Sequence, residues 1–442
     1  MNPRLDSPDT YERALSVLIK KWSARNRLDQ LEAHGVSLAD LRSRNREFSS
    51  MLASTIKRRE FRYSALTPTM ANIDGKFRQL YRPNLVDAVV LAATASYLSA
   101  VADPMLSPAL HSFRKGRSSP AVVRFLSQYF TNYRSRVPVR ERGLYVLQRD
   151  IVSYGESIDN SPSSMLFTQV ERALQNDPDP QHRDLARTLV HAAIMQPVFG
   201  HDGVEKPLEC GVPTGSPIQP VCANLYLAEL DARFDSVPGA FYSRFGDDLL
   251  FIHPDYEICD WAMKELSRQL SALKLRSKVE KERNIYLNGA GRASPRKVEF
   301  APATCLEYLG FRVHFVGRLG LKRERERELC SQLLRRFQHV RAAAMTGDSL
   351  ALAQLMCVAA SKAFDPANPL AIRAAERLRY GVDDRDQLKQ LDYRVALMIV
   401  ETATGRRGPR AFRTVSYRKL RELGLTSLVL GRHRKRAVRS PP

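Results

Sequence analysis

The alternation of apolar and polar positions divides the chain into a helical flank, a mixed centre and a second helical flank. Within residues 1–66, Tyr11, Leu15, Leu18 and Ile19 recur at helical spacing, with Lys20, Lys21, Arg25 and Arg27 beyond them. Two more helices are expected over 85–102 and 119–136. The stretch 143–150, GLYVLQRD, is apolar and bounded by charge, which predicts a buried strand. Ser161-Pro162 signals a helix start for 163–176, and another helix is expected over 182–196. Residues 240–252, AFYSRFGDDLLFI, place two apolar runs around Gly-Asp-Asp, the pattern of a β-hairpin. Helical period returns over 259–274, and short strands are expected at 297–301 and 311–316. After about residue 320 the chain becomes helical and basic, with KRERERE at 322–328 and then Leu333, Leu334, Phe337 and Val340 at helical spacing. A GRRGPR turn at 405–410 and a tail, GRHRKRAVRSPP, follow. The expected class is α+β: helix-rich ends around a central unit with an antiparallel sheet.

Size and charge narrow the partners. The chain has 442 residues, more than one domain of ordinary size uses, so two or three subdomains around one cleft are expected. It carries 69 Lys+Arg against 47 Asp+Glu, a net charge of +22. Such an excess suits a polyanionic partner, because neutralising phosphates releases counterions; a merely basic soluble protein is the bland alternative. The six cysteines are scattered singly with no CxxC pair, which speaks against a zinc ribbon and fits a reducing compartment. The first ten residues, MNPRLDSPDT, hold no apolar run of a secretory leader. The longest apolar stretch, Leu85 to Val101, includes Asp87, Thr94, Ser96 and Ser99 and reads as too short and too polar to span a bilayer. A soluble, cytoplasmic protein with no membrane partner is the expectation.

Three acids carry the candidate chemistry. Asp150 ends the expected buried strand, and Asp247-Asp248 sit at the expected hairpin turn. An Asp at a strand end facing a hairpin Asp pair can hold two divalent ions, which favour hard oxygen ligands. Two ions roughly 3.5–4 Å apart stabilise both the attacking and the leaving oxygen of an in-line displacement. Alone, Gly-Asp-Asp is an ordinary surface turn. The flanking apolar runs and the segment Gly211–Pro220, followed by VCANLYLAELD, move it away from that reading. Three prolines and two glycines there make a stiff loop before a helix, suited to close backbone approach to a nucleotide, although composition alone also allows an ordinary loop-to-helix junction.

Taken in order, these segments resemble the reverse transcriptase family over roughly residues 70–320. RDIVSYGESID is similar to its motif A, GVPTGSPIQPVCANLYLAELD to motif B, and RFGDD to motif C, with Phe245-Gly246 where the family more often carries Ala. LKLRSKVEKER is similar to motif D and EYLGFRV to motif E, the primer grip. HSFRKGRSS resembles a fingers element, with Ser112 in place of Gly, and GKFRQLYRP the fingers strands that meet the incoming triphosphate.

The resemblance implies a right-hand fold: an N-terminal helical extension (1–66), fingers (67–142), palm (143–318, with a fingers insertion near 160–205) and a helical basic thumb and C-terminal region (319–442). It implies two Mg²⁺ (Mn²⁺ as a substitute) on Asp150, Asp247, Asp248 and Ile151, with Lys281 as a further catalytic residue near the pyrophosphate. It places Lys76, Arg78, Arg82, Tyr154, Gly155, Pro213, Thr214 and Gly215 at the dNTP. Arg114, Lys115, Arg117, Tyr308, Leu309 and Gly310 are implied at template RNA and DNA product. Outside the matched span, Arg413 and Arg418 stand among basic residues interleaved with Phe412 and Tyr417, a composition that suits nucleic acid and equally a solvated helix face.

In the family an aromatic residue usually stands five positions after the motif A Asp and blocks a ribose 2′-OH. Here that position is Gly155, so either Tyr154 supplies the gate or discrimination against ribonucleotides is weak. Gly155 also departs from the second Asp of viral RNA polymerases, which stay a minor alternative. No Cys/His pairs suggest an endonuclease tail, an NAxxH segment of retron type is not visible, and about 120 residues after motif E leave no room for both thumb and RNase H. The remaining appearance is that of the unclassified, defence-associated prokaryotic reverse transcriptases. That resemblance implies a dedicated noncoding RNA template, with a homo-oligomer or accessory protein as further expected partners. Retron or mobile-element enzymes, and an RNA-binding polymerase relic without activity, stay open.

Overall fold

A computed structural model describes residues 3–23, 38–73, 76–296, 298–365 and 381–429, with a few single residues between 365 and 381. The tail that includes Arg432–Arg436 and the side chain of Lys76 lie outside the described residues. The chain forms two compact units, residues 1–117 with 145–284, and residues 118–144 with 285–442. This division by packing differs from the expected boundaries. The helix Ser119–Arg136, expected with the fingers, belongs to the second unit, and the palm region divides after Asn284.

The first unit is built around helix Leu85–Ala102. Asn84 caps it by accepting from the Asp87 amide. Its apolar residues run all round, so it is a buried core helix. It packs against helices Pro8–Ser23, Met165–Leu174, Pro180–Ile194 and Gln219–Tyr226. By length and hydropathy this stretch is apolar enough to cross a membrane, contrary to the sequence expectation, yet 72% of it is buried inside the fold. A buried network fixes the N-terminal segment: Tyr97 Oη donates to Asp177 (2.8 Å), His182 Nδ1 pairs with the same carboxylate (2.6 Å), and the Leu5 amide donates to His182 Nε2 (2.8 Å).

Strands Phe241–Phe245, Asp248–His253 and Leu144–Asp150 lie antiparallel side by side in that order. Helices Ala228–Asp235 and Tyr256–Ala272 pack on them. A separate hairpin pairs Thr67–Ile73 with Lys76–Arg82.

In the second unit, strands Cys305–Tyr308, Phe311–His314 and Leu319–Leu321 form an antiparallel sheet. Helix Ser119–Arg136 packs on it, with Phe130 and Phe315 ring centroids 6.2 Å apart. Ala301–Ala303 pairs in parallel with strand Arg283–Leu287, so the strand expected at 297–301 begins later. Helices Arg323–Ala343, Ser349–Phe364 and Arg385–Thr404 pack mutually. Gln387 joins this bundle to the sheet edge, accepting from the Leu321 amide (2.6 Å) and donating to its carbonyl (2.9 Å). A buried strand edge is thereby satisfied by a side chain.

Candidate active site

The three aspartates converge through strand register. Asp150 is the last residue of its strand and lies directly opposite Asp248. Asp248 opens the next strand opposite Phe245, so Gly246-Asp247 form a two-residue turn. Gly246 takes φ +69°, a conformation that side-chain-bearing residues adopt at a cost. The Ile151 amide donates to the Asp247 carbonyl (3.0 Å), locking the turn to the end of the Asp150 strand.

Charge compensation is uneven across the trio. Lys278 and Lys281 both donate to the Asp150 carboxylate, Lys281 at 2.6 Å, and Lys278 Nζ also lies 3.7 Å from Asp247. The Lys278 amide adds a bond to the Asp150 carbonyl (2.7 Å). The hydrogen bond to Asp150 raises the Lys281 pKa against the opposing effect of burial. Asp248 is pushed up to about 7 by burial, then by the neighbouring charges of Asp150 and Asp247. Clustered carboxylates that lack a full counter-charge fit a divalent cation by donor type. Among the described residues, however, no three acidic, histidine or cysteine side chains close around one point at ligating distance. Each oxygen of the Asp150 carboxylate, which a cation would have to share, accepts from one ammonium group. Lys278 was not anticipated; its signal is its place three residues before Lys281.

The hairpin rests on a buried ion pair that sequence reading also missed. Arg244 and Asp231 are fully buried, joined at 2.6 Å (Nη2–Oδ2) and 2.8 Å (Nε–Oδ1). Tyr242 Oη donates to the same carboxylate (2.8 Å). Arg244 also donates to the carbonyls of Asn224 (3.1 Å) and Gly246 (3.3 Å). The available signal was an arginine inside an apolar strand immediately before the Asp pair. Ser112 secures the turn from another side: its Oγ accepts from the Gly246 amide at 2.9 Å, and its carbonyl accepts from Asn224 Nδ2 (3.0 Å). The position expected to be glycine thus supplies a hydroxyl to the Gly246-Asp247 turn.

The loop at 211–218 packs tightly on the motif A turn. The Val212 amide donates to the Gly155 carbonyl (3.0 Å) and the Gly211 amide to the Ile158 carbonyl (2.8 Å). Gly211 has φ +90°, and a Cβ there would lie 2.8 Å from backbone of Glu156, so only glycine fits. The Thr214 carbonyl accepts from the Tyr81 amide (2.8 Å), which joins Pro213, Thr214 and Gly215 to the strand bearing Arg82; Arg78 on that strand is exposed.

Around Gly155 the expected gate takes another form. A Cβ on Gly155 would stand 1.8 Å from Gln219 Nε2, so the Gln219 amide fills the space an aromatic side chain would enter. Tyr154 is buried, and its hydroxyl donates to the Ala223 carbonyl. A gate made from its ring would first have to break that bond.

Two other expected nucleic-acid contacts are spent internally. The Arg114 guanidinium donates to Asp103 (2.8 Å) and to the Ser107 carbonyl (2.7 Å), with its side chain 9% exposed. Tyr308 is buried at 1% exposure, while Leu309 and Gly310 form the positive-φ turn joining its strand to the next. Lys115 is exposed and Arg117 half-buried. Arg413 is exposed, and Arg418 is exposed beside Glu422 at 3.4 Å.

The sequence model of the family described as "Reverse transcriptase (RNA-dependent DNA polymerase)" matches residues 168–313. The match contains the 211–220 loop, Asp247, Asp248, Lys281 and the Tyr308–Phe311 turn; Asp150 lies just upstream of it. Residues 168–313 thus match a reverse transcriptase domain, and the mix of helices and antiparallel sheet fits the α+β class expected of a right-hand polymerase. No curated protein sequence matches the chain. Among solved structures it is similar to telomerase from Candida albicans in complex with a fragment of telomeric RNA, at 13% identity and TM-score 0.49, covering 84% of this chain and 62% of that one. It is also similar to apo telomerase from Candida tropicalis, at 12% identity and TM-score 0.49, covering 86% of this chain and 66% of that one. The chain thus spans less than two thirds of either telomerase chain's length.

Proposed function

We propose that this chain is an RNA-directed DNA polymerase that extends a DNA 3′ end with dNTPs. The observation that carries the reading is the cross-strand pairing of Asp150 with Asp248, with Asp247 in the adjoining turn, beside a domain matched to reverse transcriptases. Asp150, Asp247 and Asp248 would hold Mg²⁺, which supplies charge neutralisation for the attacking 3′ oxygen and the leaving pyrophosphate. The residues of the chain do the positioning. Arg244 and Ser112 hold the turn that carries Asp247. Lys278 and Lys281 neutralise Asp150 when no cation is bound and, once displaced, are cations within reach of developing phosphate charge. The 211–218 loop and its bond to Tyr81 give a rigid backbone surface for the nucleotide.

For biological role, we infer a compact prokaryotic enzyme of the cytoplasm, copying a dedicated noncoding RNA in defence against phage. Support for this comes from elimination at the level of motifs and from the net charge of +22, which suits an RNA partner. Sequencing the nucleic acid that co-purifies with the protein tests it: one abundant small RNA supports the reading, and heterogeneous RNA opposes it. The polymerase reading is tested by incorporation assays on wild type and on the Asp247→Ala/Asp248→Ala double variant. Loss of incorporation with RNA binding retained supports it. Equal incorporation by both proteins would refute it.

A further inference from the structure

The second unit contains a cavity of about 440 Å³ that shares no residue with the aspartate site. Strand Phe311–His314, the segment leading into Leu319–Leu321, and helices Arg323–Ala343 and Arg385–Thr404 all line it. Five arginines reach it: Arg312, Arg318, Arg323, Arg327 and Arg394.

Its acids are largely occupied. Glu326 accepts from Arg394 (2.5 Å) and from Gln387 (2.9 Å). Asp384 caps the Arg385–Thr404 helix through the amides of Asp386 and Gln387, and lies 3.6 Å from His314. Asp386 is exposed and 3.9 Å from Arg318. Arg323 and Arg327 make no ion pair within 4 Å among the described residues; Arg312 donates to the Cys305 sulfur at 3.6 Å and stands opposite Glu307 in the strand register.

Two arginines four apart on one helix face repel each other, by a few tenths of a kcal/mol. Here they also stand at the start of a helix, whose dipole adds partial positive charge and where Lys322 gives no side-chain cap. Gly320, on the cavity wall, leaves bare backbone: a Cβ there would lie 2.9 Å from Gln387 Oε1. The cavity is of small-ligand size, and its five arginines outnumber the three acids that line it.

We propose that this cavity is a binding site for a ligand with adjacent phosphate groups, held by Arg312, Arg323 and Arg327. Planar guanidiniums pair with phosphate through two parallel N–H···O bonds, and three of them call for more than a single carboxylate. The source is either a free polyphosphate or neighbouring phosphates of a nucleic-acid backbone. The inference does not depend on the polymerase reading.

The test uses the full chain in EDTA, which removes metal-dependent binding at the aspartates. Calorimetry with sodium tripolyphosphate compares wild type, Arg323→Gln/Arg327→Gln, and a control of equal charge loss on exposed residues, Arg42→Gln/Arg46→Gln. Fluorescence anisotropy with an RNA–DNA duplex runs on the same three proteins. Loss of two charge-assisted contacts weakens binding about tenfold or more in the first variant, with the control close to wild type. That loss in the tripolyphosphate arm identifies a free polyphosphate site; in the duplex arm alone, it identifies backbone phosphates. Equal weakening in both variants, or none in either arm, overturns the site.

Discussion

Replacing Asp231 by alanine tests whether the Gly246-Asp247 turn hangs on a buried ion pair. Three of the five side-chain hydrogen bonds of Arg244 go to Asp231, and both side chains are fully buried. Asp231→Ala leaves a guanidinium without its carboxylate in the interior, which costs about 3–5 kcal/mol. That is a large share of the roughly 5–15 kcal/mol that keeps a domain folded. Urea denaturation followed by fluorescence should show a lower midpoint with the slope little changed. A second variant separates charge from packing. Replacing both partners, Asp231→Leu with Arg244→Met, removes the unpaired charge and should recover most of the lost stability. It does not restore the bond from Arg244 to the Gly246 carbonyl, so incorporation should stay low although the fold is regained. A loss under about 1 kcal/mol in Asp231→Ala, or a double variant as unstable as the single one, would show that the pair does not support the turn.

Further outcomes follow from the same site. Ser112→Ala removes the acceptor of the Gly246 amide, so the Mg²⁺ concentration for half-maximal incorporation should rise several-fold at nearly unchanged Tm; an unchanged Mg²⁺ curve contradicts this. Asp248, held near 7 against an ordinary 3.8, binds its proton more tightly when folded. Its contribution to stability in metal-free protein is therefore present below about pH 4 and lost as pH rises towards 7. In EDTA, wild-type Tm should fall relative to Asp248→Asn over that window, and parallel curves would refute the assignment. Gly155→Ala pushes a methyl into the Gln219 amide and should cut incorporation. Adding Gln219→Ala should restore it while lowering discrimination against rNTPs, and no rescue by the double variant contradicts the contact. Tyr154→Phe, which removes only the hydroxyl bonded to Ala223, should leave sugar selectivity as in wild type while lowering Tm; a loss of selectivity would restore the tyrosine as gate.

Much of the local structure was legible because its signals are local. The expected helices at 85–102 and 119–136 and the hairpin around Gly246-Asp247 follow from periodicity and turn chemistry, and the structure has them. Periodicity did not separate a buried core helix from a membrane span at Leu85–Ala102, since both are apolar all round. What stayed hidden depends on contacts between distant segments. Asp231 and Arg244 are 13 positions apart, and Ser112 and Gly246 134 apart, so no spacing rule links them. Arg114 and Tyr308 carried motif identity, yet their side chains are turned to internal partners or buried, which a motif does not reveal. Gly155 was noticed as a departure, but its reason lies in Gln219, 64 residues on and brought over it by the 211–218 loop.

Strand register places Asp150 opposite Asp248, and in the proposed function this aspartate serves metal-dependent DNA synthesis on RNA. Incorporation of dNTPs on an RNA template with a DNA primer, measured for wild type and Asp150→Asn at equal Tm, tests it most directly. Wild type should show Mg²⁺-dependent extension, with a loss on the order of 10³-fold in the variant. Comparable rates in the two proteins, or no incorporation by wild type with any template or divalent metal, would contradict it.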